Sequence, residues 1–233
     1  MTDLILALDQ GTTSSRSILF TEKAEIRAVA SEPLECRFPD SGWVEQDAEA
    51  IWETQRSTIV KVLDQAGIGL SEVSAIGITN QRESTIAWNR ETGEALCPAI
   101  NWQCRRTAGF CDELKEEGFD ELIRNRTGLV TDPYFSGTKM HWILQNVPEA
   151  ANLARQGKLC FGTVDSWLIW KLSGGTTHAI EISNASRTLV FDIQKCEWDS
   201  EILSRFGIPP ESLPEVVPSS GVIAEVDESM FGG

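Results

Sequence analysis

Basic residues, histidine and tyrosine are all scarce in this chain, and each shortage closes off a class of function. Twenty Lys and Arg stand against 35 Asp and Glu, a formal net charge of −15, which opposes nucleic acid or an anionic membrane as partner. Small anionic ligands stay open, because local donors such as Arg16 decide those. The two histidines, His141 and His178, and six cysteines without a C-x-x-C pair offer no zinc spacing. A Ser-His-Asp triad would need one of those histidines, and neither has a recognisable setting. The G-x-x-x-x-G-K-[ST], G-x-G-x-x-G and G-x-S-x-G patterns are missing too. No apolar run approaches the roughly 20 residues that span a bilayer. The start has no basic segment with a cleavage site. A cytoplasmic protein without membrane insertion is expected, with its cysteines kept as buried or half-buried thiols.

The 233 residues, 41% hydrophobic and 24% charged, suit one large globular domain or two small ones. Leu4 to Leu8 reads as a buried strand, Ser17 to Phe20 as its return, and Glu25 to Leu34 as a third strand. Asp47 caps a helix whose apolar stripe runs through Ile51, Trp52, Gln55, Ile59, Val62, Leu63 and Ala66 and stops at Gly67. Strands follow at Val73–Thr79 and Ser84–Trp88. The expected helices beyond are Arg105–Glu117, Asp120–Arg126, Ser136–Gln145, Val164–Leu172 and Asp199–Phe206, with a strand at Thr188–Ile193. Three strands, a helix and another strand predict an α/β fold with a mixed sheet covered by helices. Gly221–Glu225 begins another strand-like alternation. The end at Phe231-Gly232-Gly233 then reads as a domain boundary within a larger protein.

Between the first two strands, Asp9, Gly11, Thr12, Thr13, Ser14, Ser15 and Arg16 crowd one turn. Gly11 permits close approach of a ligand to the backbone, and hydroxyls and free amides can surround phosphate oxygens. Asp9, at the strand's carboxyl end, can hold a hydrated Mg²⁺ through water. The alternative is a polar hairpin turn.

A second segment, Gly77-Ile-Thr-Asn-Gln-Arg-Glu83, lies at a strand's carboxyl end, where open α/β sheets place ligands. Arg82 donates and Glu83 accepts, so the pair can bracket neighbouring hydroxyls of a polyol; the alternative is a surface ion pair. Trp102 offers a flat wall for the carbon side of such a ligand. Tyr134, the sole tyrosine, either reaches the ligand with its hydroxyl or packs. Trp52, Trp142, Trp167 and Trp170 read as core.

The stretches ALDQGTTSSR, GWVEQD, IGITNQRE, NWQCRRT, TGLVTDPYFSGTK, FGTVDSWLIWKL, NASRT and LPEVVPSS together resemble the FGGY family of carbohydrate kinases. The match covers Ala7 to Ser220, and long motifs in a fixed order are far more specific than any one turn. The resemblance implies a ribonuclease-H-like, actin- and hexokinase-like fold and transfer of the ATP γ-phosphate to glycerol. By that resemblance Thr12, Thr13, Ser14 and Arg16 surround the nucleotide phosphates and Asp9 belongs to the Mg²⁺ site. Arg82, Glu83, Trp102 and Tyr134 line the glycerol pocket. It implies that the whole of residues 1–233 is an N-terminal lobe. A C-terminal domain would supply most of the adenine pocket and, in a Gly-Asp-Gln motif not present here, the catalytic base. It also implies homo-oligomers of the full-length protein and negligible activity for this lobe alone. The alternatives are a kinase for another polyol or ketose, and a non-catalytic binding lobe.

Overall fold

The computed structural model describes residues 4–231. Strands β1 (Leu4–Gln10), β2 (Ser14–Thr21) and β3 (Ile26–Pro33) form a meander, followed by the two-residue β4 (Glu45–Gln46) and helix α1 (Ala48–Ala66). Next come β5 (Val73–Asn80), β6 (Ile86–Asn89) and β7 (Ala99–Ile100), then helices α2 (Ala108–Glu116), α3 (Phe119–Thr127), α4 (Ser136–Asn146) and α5 (Pro148–Arg155). Strand β8 (Leu159–Gly162), helix α6 (Val164–Leu172), β9 (Ala179–Glu181) and α7 (Ile182–Ala185) lead to the short β10 (Phe191–Asp192) and β11 (Glu197–Trp198). Helix α8 (Ser200–Phe206) and β12 (Glu215–Val217) follow.

The main sheet has the order β3-β2-β1-β5, with β1 and β5 parallel and the other pairs antiparallel. Period-2 alternation in β1 sends Leu4, Leu6 and Leu8 inward, where α1 presents Ile51, Trp52, Ile59, Val62 and Leu63 to them. Asp47 caps α1 as expected, accepting from the amides of Glu49 and Ala50, and Gly67 ends it at φ 66°. The opposite face is the surprise in a strand that reads as buried throughout. Ile5 and Val29 remain 44% and 42% exposed there. In register, Val29, Ile18, Ala7 and Gly77 make one row across that face, and Ser31, Arg16, Asp9 and Thr79 make the next.

A second core lies among α2, α3, α4, α5, α8 and the β6–β8 pair, built on Phe161, Ile143, Phe206 and Leu114. Several boundaries differ from expectation. Helix α2 starts at Ala108, after a turn at 105–107. The expected strand 188–193 shrinks to Phe191–Asp192. Residues 221–225 form no strand, and α5 and β8 were not anticipated at all. Trp52, Trp167 and Trp170 are core, whereas Trp142 is half-buried, edge-on to Trp43 and under the Arg106 guanidinium. Among the cysteines Cys196 is exposed, against expectation, because its positive-φ turn faces solvent. No helix among the described residues is long and apolar enough to cross a membrane.

Candidate active site

The turn from β1 to β2 is anchored from behind. Gly11 N–H donates to Ser14 O, and the Thr12 carbonyl accepts from Gln46 Nε2 at 2.8 Å. Ser15 faces inward, bonding Gln10 and Thr54, so it belongs to the scaffold. Thr13 and Arg16 are exposed and Thr12 and Ser14 half-exposed, so the turn offers its hydroxyls and amides outward. Asp9 and Arg16 are directly opposed in register, with 3.9 Å between charged atoms and both side chains 46% exposed. Among the described residues no three His, Cys, Asp or Glu side chains cluster as a ready metal cage. A lone half-exposed carboxylate suits a hard divalent ion that keeps most of its water and takes remaining ligands from phosphate.

Trp102 comes directly to this turn. Its indole Nε1 donates to Thr12 Oγ1 at 2.9 Å, and its ring stands edge-on to Tyr134 with centroids 5.5 Å apart. Tyr134 in turn neighbours the Glu83 carboxylate. Burial, with that charge beside it, raises the phenol above its usual range and keeps it protonated. Thr12, Trp102, Tyr134 and Glu83 therefore line one corner, an apolar wall on one side and a carboxylate on the other.

Arg82 is not the ion-pair partner of its neighbour Glu83. Beyond the end of β5, Arg82 is exposed while Glu83 is buried. Glu83 pairs with Arg187, Nε to Oε1 at 2.7 Å, and not with Arg82. Arg82 instead borders a groove of about 1050 Å³ along the free edge of β5, shared with Thr79, Asn80 and Asn184. The ion-pair partner of Glu83 is thus a residue 104 positions away in sequence.

Sequence reasoning also missed a buried amide network beneath the corner. Gln81 Nε2 and Asn101 Nδ2 both donate to Gln46 Oε1 at 2.9 Å, and Asn101 Nδ2 and Ser84 Oγ donate to Gln81 Oε1. Ser84 Oγ accepts the Trp102 amide, and the Gln81 amide donates to Gln10 O. Through Gln46, the network ties the phosphate-like turn to the strand end that carries Glu83. Its signal was present as amide side chains in each of three motifs, GWVEQD, NQRE and NWQ, of which Gln46, Gln81 and Asn101 join the network.

The arrangement can receive a small alcohol beside an anion: hydroxyls and amides for phosphate, ring faces for carbon, a carboxylate for a hydroxyl proton. The description "FGGY family of carbohydrate kinases, N-terminal domain" matches residues 4–233. A glycerol kinase of Carboxydothermus hydrogenoformans is 52% identical over 98% of this chain and 46% of its own length. One from Koribacter versatilis is 54% identical over 97% and 45%. The crystal structure of Plasmodium falciparum glycerol kinase with ADP superposes with a TM-score of 0.92 at 29% identity, covering 99% of this chain and 46% of that one. A gluconate kinase from Lactobacillus acidophilus, TM-score 0.87 at 21% identity over 99% and 45%, shares the fold. The chain spans about half the length of the curated relatives it matches.

Proposed function

The chain belongs to the FGGY family of carbohydrate kinases, and from that premise we propose that it is the acceptor-binding, phosphate-contacting lobe of an ATP-dependent kinase that phosphorylates glycerol to glycerol 3-phosphate. The observation that carries the reading is the 2.9 Å bond from the Trp102 indole to Thr12, which joins an alcohol-sized corner to a phosphate-binding turn. In this reading Thr12, Thr13, Ser14 and Arg16 meet nucleotide phosphates, and Glu83, Trp102 and Tyr134 hold the acceptor. Arg82 reaches the acceptor from the groove side. Asp9 holds Mg²⁺ through water, and the ion would neutralise charge on the transferring phosphoryl group.

Phosphoryl transfer relies on positioning and charge stabilisation, and the acceptor must outcompete water for the phosphate. Closure of a second lobe over the groove side would exclude water and supply most of the adenine pocket. It would also bring the base for the attacking hydroxyl. Neither carboxylate here is free for that task, since Asp9 pairs with Arg16 and Glu83 with Arg187. Full activity is accordingly assigned to the longer polypeptide, and residues 1–233 alone are expected to turn over negligibly.

Coupled ADP release with a panel of glycerol, pentuloses and hexonates tests the assignment on the polypeptide extended to its relatives' length. Glycerol should give the highest kcat/KM, and a clear preference for a ketose would replace it. Turnover by residues 1–233 alone near the usual enzyme median of ~10 s⁻¹ would refute the division of labour.

A further inference from the structure

Glu83 has an unusual backbone for its type. It sits at φ +64°, in the left-handed region that favours glycine, while only 2% exposed. Such a conformation is strained for a residue with a Cβ and persists only where surrounding contacts over-determine it. Three contacts do so here. Ser136 Oγ and Lys139 Nζ donate to the Glu83 carbonyl at 3.2 and 3.1 Å, and Arg187 Nε donates to its carboxylate at 2.7 Å.

Lys139 is the most informative of these. It is fully buried, and no carboxylate lies within ion-pair distance of it among the described residues. A hydrophobic side chain of equal length would fill the same space without the cost of burying an ammonium. Its head instead bonds two backbone carbonyls, those of Glu83 and Tyr134. It thereby pins together the two chain segments whose side chains face each other across the corner. Burial lowers its ammonium to about 7, and a neutral amine still keeps two N–H donors for those carbonyls.

Arg187 completes the clamp from the other side. Its guanidinium lies 5.0 Å from the Phe135 ring centre and 5.9 Å from that of Tyr134. The chain carrying it is held against the first turn of α4. Gly137 N–H donates to Thr188 O, and a Cβ on Gly137 would meet that oxygen and Val190 Cγ1 at 2.8 Å. Arg187 thereby fixes one oxygen of the Glu83 carboxylate, Oε1, on the corner's side of the clamp.

We propose that Lys139 and Arg187 are positioning residues for the acceptor, Lys139 by locking the Glu83 and Tyr134 backbones together and Arg187 by aiming the Glu83 carboxylate. The proposal rests on the acceptor-pocket reading above. It gives neither residue contact with the reacting atoms.

The test uses the full-length polypeptide with Lys139→Met, Lys139→Arg, Arg187→Gln and Arg187→Lys. Melting curves and near-UV circular dichroism confirm which variants fold. K139M and R187Q should raise the acceptor KM at least tenfold while the ATP KM moves less than twofold, and R187K should recover part of the loss. Acceptor and ATP KM rising together, or an unchanged acceptor KM in a folded variant, overturns the proposal. If K139M does not fold, R187Q, on the half-exposed side of the clamp, decides the matter. A wild-type enzyme that prefers another polyol overturns the glycerol assignment alone. The KM split is then read with that polyol, so the two failures stay distinct.

Discussion

The phosphate-like turn and the acceptor corner share one wall, the Trp102–Thr12 bond, yet they are built by different means. The turn is local: Asp9 to Arg16 lie on one hairpin, its ion pair is half in water, and its side chains face out. The corner is assembled from afar. Glu83, Lys139 and Arg187 come from three separate segments, the bonded partners lying 56 and 104 positions apart in sequence. An exposed ion pair is worth about 0–1 kcal/mol, whereas partners lost from a buried charged cluster leave groups that water cannot reach. The turn's side chains therefore stay open to solvent, whereas the corner is held by buried contacts between remote segments.

Four measurements press on this contrast, beginning where the effect is largest. Lys139 has its proton affinity lowered to about 7 by burial, so between pH 7 and its ordinary value of 10.5 the unfolded chain holds a proton that the folded chain has released. Stability should climb with pH through that window, by up to roughly 1.4 kcal/mol per pH unit. K139M should flatten the climb in denaturant titrations, and a slope unchanged by K139M would mean the ammonium is not desolvated. Next, Gly137→Ala overpacks the seam between α4 and Thr188, with a cost of about 1–3 kcal/mol and a displaced Arg187. Chemical denaturation reads the first, and a raised acceptor KM the second.

Trp102→Phe keeps a ring but removes the donor to Thr12. Loss of one such bond is worth about 1 kcal/mol, or roughly fivefold in affinity. The loss should fall on acceptor and ATP alike, since the bond joins both sites; an effect on one alone would show them to be independent. Smallest is Asp9→Asn, which should leave stability within about 0.5 kcal/mol, as is usual for exposed positions. It should instead weaken the dependence of activity on Mg²⁺ in a metal titration. A destabilised D9N protein would place the turn in the same class as the corner.

Much of the scaffold was legible from spacing. The α1 stripe with its Asp47 and Gly67 ends, the meander and the β5 strand follow from periods of 3.6 and 2 and from capping chemistry. The short β8 strand escaped because Leu159–Gly162 is too brief for either period to register, and α5, only eight residues long with Pro148 in its first turn, offers barely two turns of helical period. Within the site, Trp102, Tyr134 and Thr12 could be singled out individually. Their mutual contact could not, nor could the amide triad of Gln46, Gln81 and Asn101.

Local chemistry along the chain thus determined the hairpin turn, the strand that ends in Asn-Gln-Arg-Glu and the family to which the chain belongs. These depend on which residues are neighbours in sequence, or recur at a fixed period. Only the folded molecule decided that Glu83 turns inward to Arg187 while Arg82 faces the groove, and that a lysine without an acidic partner ties two carbonyls together. Burial and ion pairing depend on distances between remote segments, and those distances exist only once the sheet and the helical core have packed.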